Sequence, residues 1–263
     1  MRFFTLTMLT ALLVGIAPAV ADQIVPLAAH RALYQLTLDQ ARGSEVAGAS
    51  GTMAYEVLDA CDGWATNQRL QMTVTNRDGQ DIQMVSDYTT WESKDGLSLR
   101  FRMRQTTETA VTSEVAGEAR LERPGGPGEV HYTAPKVTTE RLPVGTLFPM
   151  AHTEAILTAA REGKKLIGIP LFDGTSEKGA QDSSIAITSW RKPTPGKWPD
   201  LARLSSGQVH VAFFDRDAAS QQPDYEVGMR YWDNGVADDL SMDFGDFVMH
   251  GTLSRLTILP PGC

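Results

Sequence analysis

The sequence predicts a mainly β fold, a single β-spiral or barrel-like antiparallel domain of about 14 strands with one short α-helix. Three observations predict it. Apolar and polar residues alternate along most of the chain, five Asx-Gly pairs fall between the alternating runs, and one segment alone exchanges the period of two for a helical one.

Taken in order, residues 1–21 read as a secretory signal peptide. Met1 and Arg2 are followed by an apolar stretch from Phe3 to Ile16, and Ala19-Val20-Ala21 precedes Asp22. Small residues at −3 and −1 suit signal peptidase, and the apolar stretch is short for a membrane span. The lone Arg2 points to a Sec-type signal, and the lack of a cysteine at the cleavage point argues against lipid anchoring. The expectation is a periplasmic protein beginning at Asp22, with residues 22–263 as one domain.

The strands follow. Ala32, Tyr34, Leu36 and Leu38 share one face of the first, and Met53, Tyr55 and Val57 repeat the pattern. So do Leu70, Met72 and Val74; Leu97, Leu99, Phe101 and Met103; and Val209, Val211 and Phe213. Tyr225, Val227, Met229 and Tyr231, then Leu240, Met242 and Phe244, precede a last strand expected over 247–259. Asp62-Gly63, Asp78-Gly79, Asp95-Gly96, Asp173-Gly174 and Asn234-Gly235 suit type I′ hairpin turns, which need positive φ at both central residues. Segments 63–75 and 81–92 would extend roughly 40 Å at about 3.3 Å per residue, so they must twist and curl. A closed or spiralling sheet protects its edges best.

Residues 149–162 are expected to form the helix, with Pro149 in the first turn, Arg161 late and Gly163 as the stop. Ile156, Ala159 and Ala160 supply its apolar face, while His152 and Glu154 are expected on the exposed side. The helix should plug the barrel or lie on its flank. The proline-rich stretch 191–207 reads as a lid or a passive surface loop.

Without residues 1–21 the chain keeps 242 residues, and loss of Arg2 moves the net charge from −8 to −9. Such a balance gives no broad attraction for nucleic acid. Arg100, Arg102 and Arg104 share one strand face and read as a solvated surface. Cys61 and Cys263 are the two cysteines of the chain. In an oxidising compartment an isolated pair forms a structural disulfide, and tying down residue 263 would close a loop of about 200 residues.

No local catalytic signature appears. There is no Gly-x-Ser-x-Gly elbow, His-Glu-x-x-His, Walker-A loop or Cys-x-x-Cys. His30, His131, His152, His210 and His250 lack ligand spacing, although His210 and His250 sit in strands that could bring them together. The acids from Asp233 to Asp246 lack the calcium-loop pattern and read as a hairpin turn with solvated carboxylates. Trp64, Trp91, Trp190, Trp198 and Trp232, with Tyr34, Tyr55, Tyr88 and Tyr231, are either core or the lining of a ligand cavity. The expectation is no enzyme, no catalytic residues, no metal and no cofactor.

Several segments together resemble the cell envelope integrity protein EipB family. They are Leu27 to Tyr34; Cys61-Asp62-Gly63-Trp64; Leu142-Pro143-Val144-Gly145-Thr146-Leu147-Phe148-Pro149; His152-Thr153; Ala160-Arg161-Glu162-Gly163; Leu171-Phe172-Asp173-Gly174; Arg230 to Gly235; and Cys263. The resemblance implies a periplasmic Gram-negative protein with a β-spiral fold, a disulfide between Cys61 and Cys263, and a role in maintaining the envelope. It supplies no catalytic residues. The first functional expectation is therefore a non-catalytic protein that binds an envelope component or a periplasmic protein partner. A lipid or lipoprotein carrier, with an acyl chain beneath the helix and the 191–207 loop, is the alternative. An envelope hydrolase using paired carboxylates is the third.

Overall fold

A computed structural model describes residues 26–43, 45–216 and 222–263; the expected signal peptide lies outside the described residues. The strands are β1 (His30–Ala41), β2 (Val46–Asp59), β3 (Gly63–Asn76), β4 (Asp81–Ser93), β5 (Ser98–Thr107), β6 (Ala110–Leu121), β7 (Gly128–Ala134) and β8 (Thr138–Leu142). The helix α1 (Pro149–Arg161) separates these from β9 (Leu166–Leu171), β10 (Gln181–Ile187), β11 (Ser206–Asp215), β12 (Tyr225–Trp232), β13 (Ala237–Asp243) and β14 (Phe247–Ile258). They form one 14-stranded sheet in the order β8-β7-β6-β5-β4-β3-β2-β1-β14-β13-β12-β11-β10-β9.

Every pairing within it is antiparallel. The sheet is thus two meanders joined where β1 pairs β14, and it stays open between β8 and β9. A parallel bridge from Leu147 to Leu171 and the segment 172–180 fill that gap. The Tyr132 hydroxyl donates to Ser176 O (3.1 Å) and accepts from Gly179 N (3.0 Å), so the segment is hydrogen-bonded across it.

The alternating residues face inward as the period of two requires. Tyr34 and Leu36 of β1 are each 2% exposed, and Leu99 of β5 is fully buried. Arg100, Arg102 and Arg104 point outward, and Arg102 reaches Glu114 across β5–β6 at 2.7 Å. Fourteen- and thirteen-residue strands do occur at 63–76 and 81–93.

The hairpin turns differ from the type I′ expectation. Gly79, Gly96 and Gly235 have positive φ, but the Asp or Asn before each does not. These loops turn with an ordinary type I geometry and need only one left-handed residue, which glycine supplies. At Asp62-Gly63 the left-handed residue is Cys61 (φ 67°), and Gly63 already belongs to β3. Asp173-Gly174 is no hairpin at all. There, a Cβ on Gly174 would lie 2.3 Å from Phe101 Cγ, so the left-handed turn (φ 73°) also admits a close aromatic approach.

Successive reversals put the β1–β2, β3–β4, β11–β12 and β13–β14 turns at one end of the sheet, here the far end. The β2–β3, β4–β5 and β12–β13 turns lie at the other, the helix end, where Met150 of α1 packs with Ala29, Val57 and Trp64. Further along α1, Ile156, Ala159 and Ala160 pack on Ile185, Ile187, Val209 and Val211. Cys61 and Cys263 are joined at the helix end with Cα atoms 5.4 Å apart and 202 residues of separation. The 191–207 loop sends Trp198, Leu201 and Leu204 against Trp232, Val236 and Ile258. These apolar residues anchor it to the sheet, and none of its residues lines the cavity described below.

Candidate functional site

Inside the spiral lies a cavity of about 600 Å³. Its first wall comes from two rungs of β2–β5, Tyr55–Gln68–Tyr88–Met103 and Met53–Leu70–Ser86–Gln105. Each rung arises because residues opposite one another on antiparallel strands share a face. The facing wall is apolar, with Val227, Met229, Leu240 and Met242 from β12 and β13. Between them, Asp173 and Thr175 enter from the segment that fills the β8–β9 gap, and Gln181 from the start of β10.

The helix end of the cavity is closed. Leu27, Met150, Thr153, Asn234 and Gly235 meet there, and Ala28 N donates to Asn234 O at 2.9 Å. At the far end, Phe213, Tyr225 and Phe244 line the cavity, and Phe247 continues their row with ring centroids 5.1–6.2 Å apart. These four rings keep partial exposure.

Three polar contacts latch α1 over the closed end. Phe148 at the helix N-cap cannot accept from the first-turn N–H groups, so Glu92 of β4 does so. Its carboxylate accepts from Met150 N (2.7 Å) and Ala151 N (2.9 Å) and is 1% exposed. Burial raises its pKa to about 7 against the pull of the two N–H bonds. One turn into the helix, His152 Nε2 lies 2.8 Å from Ser183 Oγ, which donates to Ile169 O at 2.6 Å. The hydroxyl proton is thereby committed, so Nε2–H is the donor to Ser183. Burial lowers the His152 pKa to about 4. At the C-terminal turn, Arg161 Nε donates to Asp233 Oδ1 at 2.6 Å.

His152 is therefore buried, contrary to its expected exposure, because the His152–Ser183 contact faces β9 and β10. Glu154 is exposed as expected. The His152–Ser183 pair is sealed from solvent and lacks a carboxylate behind the ring, so it has no open face at which a substrate carbonyl could meet the hydroxyl.

The aromatic residues separate by type. Tyr34, Tyr55, Tyr88 and Tyr231 line the cavity; none of the five tryptophans does. Trp64 lies under Lys94 at the helix end (3.1 Å), Trp91 lies beside Arg100 on the outer surface, and Trp198 and Trp232 anchor the long loop. The tyrosine hydroxyls are tied to the wall: Tyr34 donates to Ala237 O (2.7 Å) and Tyr88 to Asp173 O (2.5 Å). Burial pushes the phenols of Tyr55, Tyr88 and Tyr231 upward. All three rings keep only partial exposure.

The acidic segment is paired more than solvated. Asp238 is 4% exposed and takes two bonds from Arg230 (2.7 and 2.6 Å), while Asp243 meets Arg42 at 2.6 Å. His210 and His250 stand on one outer rung but do not meet; Gly228 and Ser241 separate them. His210 contacts Glu226 at 2.5 Å instead. Among the described residues no cluster of three metal-ligating side chains forms. Asp173 is the single carboxylate in the described cavity lining, so the opposed carboxylates of a glycosidase-like hydrolase do not occur there.

Glu92 was not legible as a site residue in the sequence. Its signal is parity: Tyr88, Thr90 and Glu92 occupy the inward face of β4, and an acid on an inward face needs a partner.

Comparison with known proteins places this architecture. The chain is 34% identical over 253 residues, 93% of its length and 89% of the relative's, to the cell envelope integrity protein EipB of Brucella abortus (strain 2308). It superimposes with a TM-score of 0.81 and 31% identity on a crystal structure of a beta-barrel-like protein of a domain of unknown function from Brucella abortus, covering 90% of this chain and all of that one. The EipB-like family model matches residues 21–260, and the chain belongs to that family.

Proposed function

We propose that this is a non-catalytic periplasmic protein that supports cell envelope integrity by holding an envelope component in the cavity of its β spiral. The observation that carries the reading is the cavity itself: about 600 Å³, walled by tyrosines and methionines, with one carboxylate and no lysine or arginine in its described lining. Binding pockets combine such an apolar interior with a few orienting polar groups. The relative's name as a cell envelope integrity protein supports an envelope or periplasmic location. The signal-like residues 1–21 support export with Asp22 as the first mature residue.

Complementation with filled cavities tests the reading. Leu70→Trp and Val227→Trp put bulk into the cavity from opposite walls. Both variants should reach the periplasm at normal abundance and fail to rescue the envelope-stress sensitivity of a null strain. Full rescue by variants with a demonstrably filled cavity overturns it. A carrier is the second reading, favoured by the partly exposed row of Phe213, Tyr225, Phe244 and Phe247 at the far end. A carrier would pass its cargo to acceptor vesicles, whereas a holder would retain it.

A further inference from the structure

We infer that the cavity takes a single-chain lipid with an uncharged, hydrogen-bonding head group, lodged with its chain against the β12–β13 wall and its head against the amides and hydroxyl of β3–β5. The inference rests on the binding reading above and names the ligand class for the same site.

Size sets the chain number. A methylene fills about the volume of a water molecule, roughly 30 Å³, so about 600 Å³ holds on the order of 20 such groups. That is one long acyl chain with a small head, and too little for two chains. The apolar wall suits a flexible chain because Met229 and Met242, with Met53 and Met103 opposite, are unbranched and adapt to irregular shapes.

The polar groups set the head. Gln68, Ser86, Gln105 and Gln181 all reach the cavity, and none makes a side-chain hydrogen bond among the described residues. They present donors and acceptors together, which suits an ester, amide or hydroxyl. Charge excludes the commoner alternative. The nearest ionisable group is Asp173, which accepts from Thr175 N (2.9 Å) and Thr175 Oγ1 (2.8 Å) and has no cation beside it. His30, the cavity's other ionisable non-phenolic group, is held near neutrality by burial, with its Nδ1 2.8 Å from Ala28 O. Burial raises the Asp173 pKa, so the chamber already disfavours a negative charge, and a fatty-acid carboxylate would bring one in without a counter-ion.

Displacement of an uncharged fluorescent acyl probe from the purified full-length protein at neutral pH tests this. A monoacylglycerol should displace the probe at least tenfold more strongly than the fatty-acid anion of equal chain length, and at least tenfold more strongly than the corresponding diacylglycerol. Asp173→Asn should narrow the first ratio severalfold by removing the like charge. The double variant Gln68→Leu, Gln105→Leu should weaken the monoacylglycerol about fivefold while leaving a simple alkane unaffected. Equal or tighter binding of the anion, equal binding of the two-chain lipid, or no displacement by any lipid overturns the inference. If no lipid binds but Leu70→Trp still abolishes complementation, the ligand class is wrong and the cavity reading stands. If Leu70→Trp complements fully, the cavity reading falls whatever the lipids do.

Discussion

At the scale of single residues, Glu92 and His152 control how α1 responds to pH, and they act in opposite senses. The Glu92 carboxyl is raised from 4.5 to about 7 by burial. The unfolded chain therefore ionises first, and the stabilising contribution, full below pH 4.5, is lost as pH rises to about 7. His152 is lowered from 6.5 to about 4 by burial, so its contribution is full above 6.5 and lost as pH falls to about 4. Between pH 4.5 and 6.5 the two slopes offset each other in the wild type. Glu92→Gln should lower stability by about 1–3 kcal/mol, because an amide cannot accept both helix N–H bonds. Denaturant titrations of this variant should also show an acid-side loss that the wild type masks. His152→Ala should lose about 2–4 kcal/mol through the vacated volume and the lost bond to Ser183. Its stability should then rise as pH falls from 7 to 4.5. A wild-type pH profile in both variants contradicts this assignment.

At the scale of elements, the helix is a cover fixed by its apolar face and its ends. Ile156 is 1% exposed between the helix and β10–β11. Ile156→Asp should destabilise by several kcal/mol, since it buries an unpaired charge, while exposed Glu154→Ala should change stability by about 0.5 kcal/mol or less. Thermal melts of the pair check the asymmetry. The strands and the helix were legible because their periods and breakers are local properties. The turn type was not, since one glycine with positive φ serves a type I loop as well as two left-handed residues serve a type I′ turn. The sorting of tyrosines from tryptophans was equally hidden. Trp64 packs at the helix end and Trp232 under the long loop, positions set by where the sheet curls and not by their strand parity.

At the scale of the molecule, the spiral is open between β8 and β9, and the bond between Cys61 and Cys263 ties the β2–β3 turn to the segment after β14. That segment fits closely: a Cβ on Gly262 would stand 1.9 Å from Asp59 O, so glycine is required there. Cys61→Ser and Cys263→Ser should lower Tm similarly, with a loss of about 2–5 kcal/mol, and the double variant should lose little more. Neither thiol should be labelled in unreduced, denatured protein; labelling of both would overturn the bridge. Retained stability with lost function in both single variants points to redox sensing instead of stapling.

The sequence by itself determined a β-rich chain with one helix, the inward residues of seven of the fourteen strands, and the family resemblance, because strand parity, helix breakers and short motifs are written in neighbouring residues. Tertiary structure alone decided that the sheet stays open and that the 191–207 loop packs on the sheet without lining the described cavity. It also decided that His152 is buried, that Glu92 caps a helix whose Met150 lies 58 residues further on in sequence, and that five tyrosines share a chamber with Asp173. Those facts depend on how a twisted 14-stranded sheet curls back on itself, which brings together residues separated by more than 200 positions that no local period relates.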